Sequence, residues 1–144
     1  MIESDTIKLL RECDAGVKMG IESISEVCPE VESKEMLSML NECKDKHESL
    51  KKEIENELSH LGDDGKNPNP IAKGMSSVKT NVKMAMKHSD KTVADLMTDG
   101  CNMGVKSLSR YLNEYKAAEE YSKDIAKKLI AIEDTLARDL RGYL

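Results

Sequence analysis

The chain has no phenylalanine and no tryptophan, and its aromatic residues are four tyrosines. A core without large rings must be filled by Leu, Ile, Val, Met and Ala, which suits helix packed on helix better than sheet on sheet. Proline is scarce, at three residues, so long stretches carry no helix breaker. No apolar run approaches the roughly 20 residues that span a bilayer. The start, Met1-Ile2-Glu3-Ser4-Asp5, is acidic and has no hydrophobic leader segment. The four cysteines, Cys13, Cys28, Cys43 and Cys101, form no C-x-x-C pair. They are expected to be free thiols acting as small apolar residues in a reducing compartment. A formal charge of -5 argues against a general nucleic-acid binder. The expectation is a cytoplasmic protein with no membrane partner. Nucleotide loops, nucleophile elbows and zinc-protease motifs are absent. Asp63-Asp64-Gly65 is too short for a calcium loop.

What is present is helical periodicity, over 144 residues that fit one domain. Apolar residues recur three and four apart in Ile7, Leu10, Cys13, Val17, Ile21, Ile24 and Cys28, which predicts a first helix over about 5–28. Ser4 is its candidate N-cap and Pro29 its stop. A second helix over about 34–61 follows Ser33, with the stripe Met36, Leu40, Cys43, His47, Leu50, Ile54, Leu58 and Leu61. Gly62 is suited to the left-handed position that ends a helix. The breaker-rich run Gly62 to Pro70 reads as a loop inside one domain. Ile71, Met75, Val78, Val82 and Met86 predict a shorter helix over about 71–87, long enough to serve as a crossover along a bundle. The last two helices are predicted over about 91–116 and 119–141. Their stripes are Val93, Met97, Cys101, Gly104, Leu108, Tyr111 and Tyr115, then Tyr121, Ile125, Leu129, Ile132, Leu136 and Leu140. The end, Gly142-Tyr143-Leu144, is apolar enough to pack.

The pattern G-x-x-M-G-[IV]-x-S-[IL] occurs twice, from Gly16 to Ile24 and from Gly100 to Leu108. A glycine inside a helix costs roughly 1 kcal/mol relative to alanine. The spacing places Gly16 with Gly20, and Gly100 with Gly104, on one helix face each. The expectation is a helix–helix contact at these glycine faces, within two helical hairpins related by an internal two-fold. The second and fourth helices match more weakly, with His47 opposite Leu136.

From Asn67 through Leu108, with Pro70-Ile71-Ala72-Lys73-Gly74 opening the crossover and Ser89-Asp90-Lys91 before the next helix, the chain resembles a family of uncharacterised bacterial ferritin-like four-helix bundles. The resemblance implies an all-α, ferritin-like four-helix bundle of two hairpins with an additional crossover helix. Di-iron sites of such bundles use a Glu on each of two helices and a Glu-x-x-His on each of the other two. Here Lys44 stands where His47 would need a Glu, and Leu136 stands where Glu133 would need a His. Two irons therefore lack ligands. A single zinc or iron could still use His47, Cys43, Cys101 and Glu133. The other reading is a core His47 bonded to a neighbouring helix, with Glu133 paired to Lys44. Asp14 and Asp99 are placed to bond across the first and third helices.

Lys79, Lys83, Lys87 and Lys91 are four apart and form a basic stripe. It is either a solvated face or a surface for an anionic partner. No aromatic interleaves it, against a single-strand nucleic-acid surface. Met75, Met84, Met86, Met97 and Met103 suggest a soft-metal or adaptable surface, or simply core filler where rings are missing. The functional expectation is a non-catalytic bundle, without a cofactor, that acts by association with itself through its helix faces. The alternative is a metal or redox bundle centred on His47.

Overall fold

The computed structural model describes residues 4–65 and 89–144, and over these it is all-α, with four helices and no strand. Helix α1 spans Asp5–Val27, α2 Lys34–His60, α3 Asp90–Glu114 and α4 Glu120–Asp139. A 3₁₀ turn at Cys28–Glu30 follows α1, and another at Leu140–Tyr143 follows α4. The expected crossover at 71–87, most of the preceding loop, and Lys79, Lys83 and Lys87 lie outside the described residues.

Local chemistry sets the ends. Ser4, Ser33 and Ser89 each accept a hydrogen bond from the amide three residues on, at 3.2, 3.1 and 3.4 Å. Each cap is worth about 1 kcal/mol. Helix α1 stops at Val27, one residue short of expectation, because Pro29 turns the chain into the 3₁₀ turn. Helix α2 ends with Gly62 at φ 72°. Asp63 N–H reaches Leu58 O and Gly62 N–H reaches Ser59 O, the paired bonds that close a left-handed C-terminus. At the chain end Leu140 is buried and Tyr143 packs on the core, but Leu144 is exposed.

Helices α1 and α2 pack as one hairpin and α3 and α4 as the other. The hairpins meet where α2 lies against α4 and α1 against α3, and α1 also approaches α4 along a diagonal. Side-chain ties give the directions. Asp90, at the start of α3, accepts from Glu32 N–H at 2.8 Å and Ser33 N–H at 3.0 Å, in the turn between α1 and α2. Asp5, at the start of α1, accepts from Ala117 N–H at 3.0 Å in the turn between α3 and α4, and Thr6 Oγ1 accepts from Glu119 N–H at 2.9 Å. Arg11 holds Asp63, just past α2, through its guanidinium, and this keeps the Asp63 carboxyl below its ordinary range. Thus α1 and α4 run one way and α2 and α3 the other, and α2 ends at the end of the bundle opposite the start of α3.

The core falls into two apolar clusters. One holds Leu9, Leu10, Cys13, Val17, Leu50, Ile54, Leu58, Leu108, Ile125 and Leu129. The other holds Ile24, Val27, Met36, Leu40, Cys43, Val93, Met97, Cys101, Leu136 and Leu140. Burying a Leu, Ile or Met contributes roughly 1.5–3 kcal/mol each, so the clusters carry the fold without a large ring. Of the five methionines singled out, Met97 is core, Met103 is 55 % exposed, and the other three lie outside the described residues. Asp14 is fully buried and bonds Lys18 at 2.7 Å on its own helix, and Asp99 is exposed.

Candidate functional site

Between the two apolar clusters lies one polar layer to which every helix contributes. His47 is on the buried stripe of α2, one turn past Cys43. Its Nδ1 lies 2.8 Å from Cys43 O. A carbonyl oxygen can only accept, so Nδ1 carries a hydrogen and Nε2 is turned into the bundle. There it faces Glu133 Oε1 of α4 at 3.5 Å. At that distance the pair is an electrostatic contact and not a hydrogen bond. His47 is 2 % exposed and Glu133 9 %.

The repeated glycines acquire a physical role here. A Cβ on Gly20 of α1 would lie 2.6 Å from His47 Cδ2 and Nε2. A Cβ on Gly104 of α3 would overlap Glu133 Oε2 and lie 2.9 Å from its Cδ. In each hairpin the second glycine of the motif makes room for the buried ionisable side chain of the partner helix. This corrects the expectation of glycine faces pressed on each other: what fills the space is a ring and a carboxyl. Gly16 faces a Leu129 methyl at 3.5 Å for a Cβ, and a Cβ on Gly100 would meet nothing within 4 Å.

Burial alone would push the His47 imidazole down. Its contacts with Cys43 and the Glu133 carboxyl outweigh this and hold it protonated up to about 10. Burial pushes the Glu133 carboxyl up, and His47 partly opposes that. One proton on the imidazole side neutralises the pair, which suits a buried layer where an uncompensated charge is costly. Burial, then the nearby Glu133, also push the Cys101 thiol well above its ordinary range. Burial raises Cys13 to about 12. These thiols stay protonated and are inert as nucleophiles.

Glu133 is therefore paired with His47 and not with Lys44, which corrects the sequence expectation. Of the four candidate ligands, His47 touches Cys43, with Sγ 3.6 Å from Nδ1, and His47 faces Glu133. Cys101 lines the same small cavity as His47 and Glu133. No three His, Cys, Asp or Glu side chains converge as a metal ion requires among the described residues. The di-iron set that the ferritin-like resemblance implies does not fit this layer. Lys91 is exposed in the first turn of α3, apart from the layer.

Two concavities frame the layer. A cavity of about 40 Å³ touches the pair and is lined by Met19, Gly20, Ser23, Met97, Gly100 and Cys101, among others. Outside, an open groove of about 590 Å³ runs between α2 and α4, over Leu50, Ala131 and Ile132 and between Asp45, Lys46, Glu53 and Lys128. No helix among the described residues is long and apolar enough to cross a membrane.

The chain matches no family model, no curated protein and no solved structure.

Proposed function

We propose that this chain is a non-catalytic helical bundle that acts by associating with a second copy of itself, in the cytoplasm, through the groove between α2 and α4. The observation that carries the reading is the composition of that groove. Its floor is small or apolar, with Ser49, Leu50, Ala131 and Ile132, and its rim carries both signs, with Lys46 and Lys128 beside Asp45 and Glu53. A two-fold sets such a rim against its own image, so that Asp45 of one copy can face Lys46 of the other, while Lys128 and Glu53 pair within the chain at 3.6 Å. The inward ionisable groups support the same reading. His47 and Glu133 are committed to each other, and Asp14 to Lys18, which leaves no base and nucleophile side by side in an open pocket among the described residues.

The reading includes a ferritin-like bundle in which one hairpin is repeated. The helix directions, the reciprocal ties of Asp5 and Asp90, and the matched roles of Gly20 and Gly104 support it. Sedimentation velocity from micromolar to hundred-micromolar protein is the test. A dimer or larger species is expected. Ala131→Arg, which puts a bulky charge on an exposed floor position, is expected to give monomer with unchanged helicity. Monomer alone in the unmodified protein overturns the reading.

A further inference from the structure

The small cavity beside the His47–Glu133 pair is lined by sulfur as well as by the pair. Met19 of α1 and Met97 and Cys101 of α3 all border it. Met97 and Cys101 are four residues apart and share one face of α3. The half-buried Gly20 and Gly100 line it as well, so its wall between α1 and α3 carries no side chain at those points.

Three features define what such a cavity can take. First, His47 Nδ1 is held by Cys43 O at 2.8 Å. A backbone carbonyl on one ring nitrogen is the arrangement that orients a metal-binding imidazole and presents the other nitrogen. Second, His47 Nε2 and Glu133 Oε2 are both buried and neither makes a hydrogen bond. An imidazole nitrogen opposite a carboxylate in a buried layer calls for one positive charge, which a proton or a monovalent cation can supply. Third, the donors added by the cavity wall are the two thioethers of Met19 and Met97 beside the Cys101 thiol, which burial keeps protonated. Hard and borderline ions bind these poorly, whereas Cu(I) favours them. His, Cys, Asp and Glu alone provide no group of three here, which leaves zinc and iron short of ligands. Two thioethers and an imidazole make a complete set for a three-coordinate soft ion.

We propose that this cavity binds one Cu(I) ion on His47 Nε2 and the thioether sulfurs of Met19 and Met97, with the Glu133 carboxylate balancing its charge. As the ion enters, the Nε2 proton leaves to solvent and the ion takes its place. The pair keeps its net charge, and nothing is oxidised or reduced. A divalent ion would leave an excess positive charge in the core. The size agrees: about 40 Å³ admits a bare ion, whereas organic ligands occupy pockets of roughly 300 Å³ or more.

The test is an anaerobic titration of the purified full chain with Cu(I) against a chromophoric Cu(I) chelator. A Cys28→Ser background removes the one cysteine that is not buried. One equivalent of copper is expected to be held against the chelator. Met97→Leu keeps volume and apolarity and so keeps the fold, which circular dichroism checks. It is expected to weaken binding roughly tenfold or more, as is His47→Ala. Failure to hold copper overturns the proposal. So does a Met97→Leu protein that binds as tightly as its parent, because the copper would then sit on thiols and not on thioethers.

Discussion

Alanine at Gly100 and alanine at Gly20 should move stability in opposite directions, although the two glycines belong to copies of one motif. Each substitution regains about 1 kcal/mol of helix propensity. At Gly100 the new Cβ meets nothing within 4 Å, so the gain is kept. It should appear as a rise in Tm of about 3 °C for a chain of this size. At Gly16 the nearest atom is a Leu129 methyl at 3.5 Å, an ordinary contact, and a smaller gain is expected. At Gly20 the Cβ would lie 2.6 Å from the His47 ring. That ring is 2 % exposed and anchored through Nδ1, so it cannot step aside. Overpacking of this kind costs about 1–3 kcal/mol, and pulling His47 from Glu133 adds part of the about 3–5 kcal/mol of a broken buried pair. Net of propensity, Gly20→Ala should lose about 1–3 kcal/mol. Gly104→Ala collides with the flexible end of Glu133 and should lose less. Urea denaturation followed by far-UV circular dichroism gives all four values. Gly20→Ala combined with His47→Ala should recover most of the steric loss. If Gly20→Ala proved as stable as Gly100→Ala, the role assigned to the glycine would be wrong.

Two further outcomes follow from the polar contacts. The His47 ring proton resonances should show no titration near the ordinary value of 6.5, because the imidazole stays charged up to about 10. Its share of stability is fully present below 6.5 and is lost as pH rises through about 10; Glu133→Gln should bring the titration down, and an unmodified protein titrating near 6.5 would contradict the pairing. Asp90→Ala removes a carboxylate that accepts two backbone amides. A loss of about 1–3 kcal/mol is expected, with faster hydrogen exchange at Glu32 and Ser33, and unchanged exchange there would show that the tie is not made in solution.

Most of the helical architecture could be read from period and punctuation. Leu10 to Val17 and Leu40 to Leu58 are stripes whose spacing alone says which face is buried, although the stripe through Ile7 and Ile21 passes over the fully buried Leu9, and Ser4, Ser33 and Gly62 mark ends by their own hydrogen-bonding and backbone preferences. The polar layer was half legible. His47 lies on its stripe without ambiguity, whereas the apolar stripe of α4 runs through Leu129, Ile132 and Leu136 and passes Glu133 by. The buried residues of α4 are Ser122, Ile125, Ala126, Leu129, Glu133 and Leu136, with Ile132 only partly buried at their edge. Continuing the four-residue step from Ile125 and Leu129 lands on Glu133, a position that apolarity alone does not mark. The glycine motif was visible as a repeat, but what stands opposite a glycine belongs to another helix and to tertiary packing. One chain position cannot reveal that. Asp5 and Asp90 were invisible for the same reason, since their partners are 112 and 57–58 residues away.

Those two aspartates, taken with the central layer, bear on why the halves share one chain. A lone hairpin of this design would have a leading carboxylate with nothing to accept from and a bend whose amides lack a receiver, and a twin could satisfy both at once. Yet two indistinguishable twins about a dyad can only set acid against acid or base against base at the axis, and like groups there would repel in a medium with little screening. Covalent linkage lifts that restriction. It lets one half contribute the imidazole and the other the carboxylate, and it makes their meeting independent of dilution.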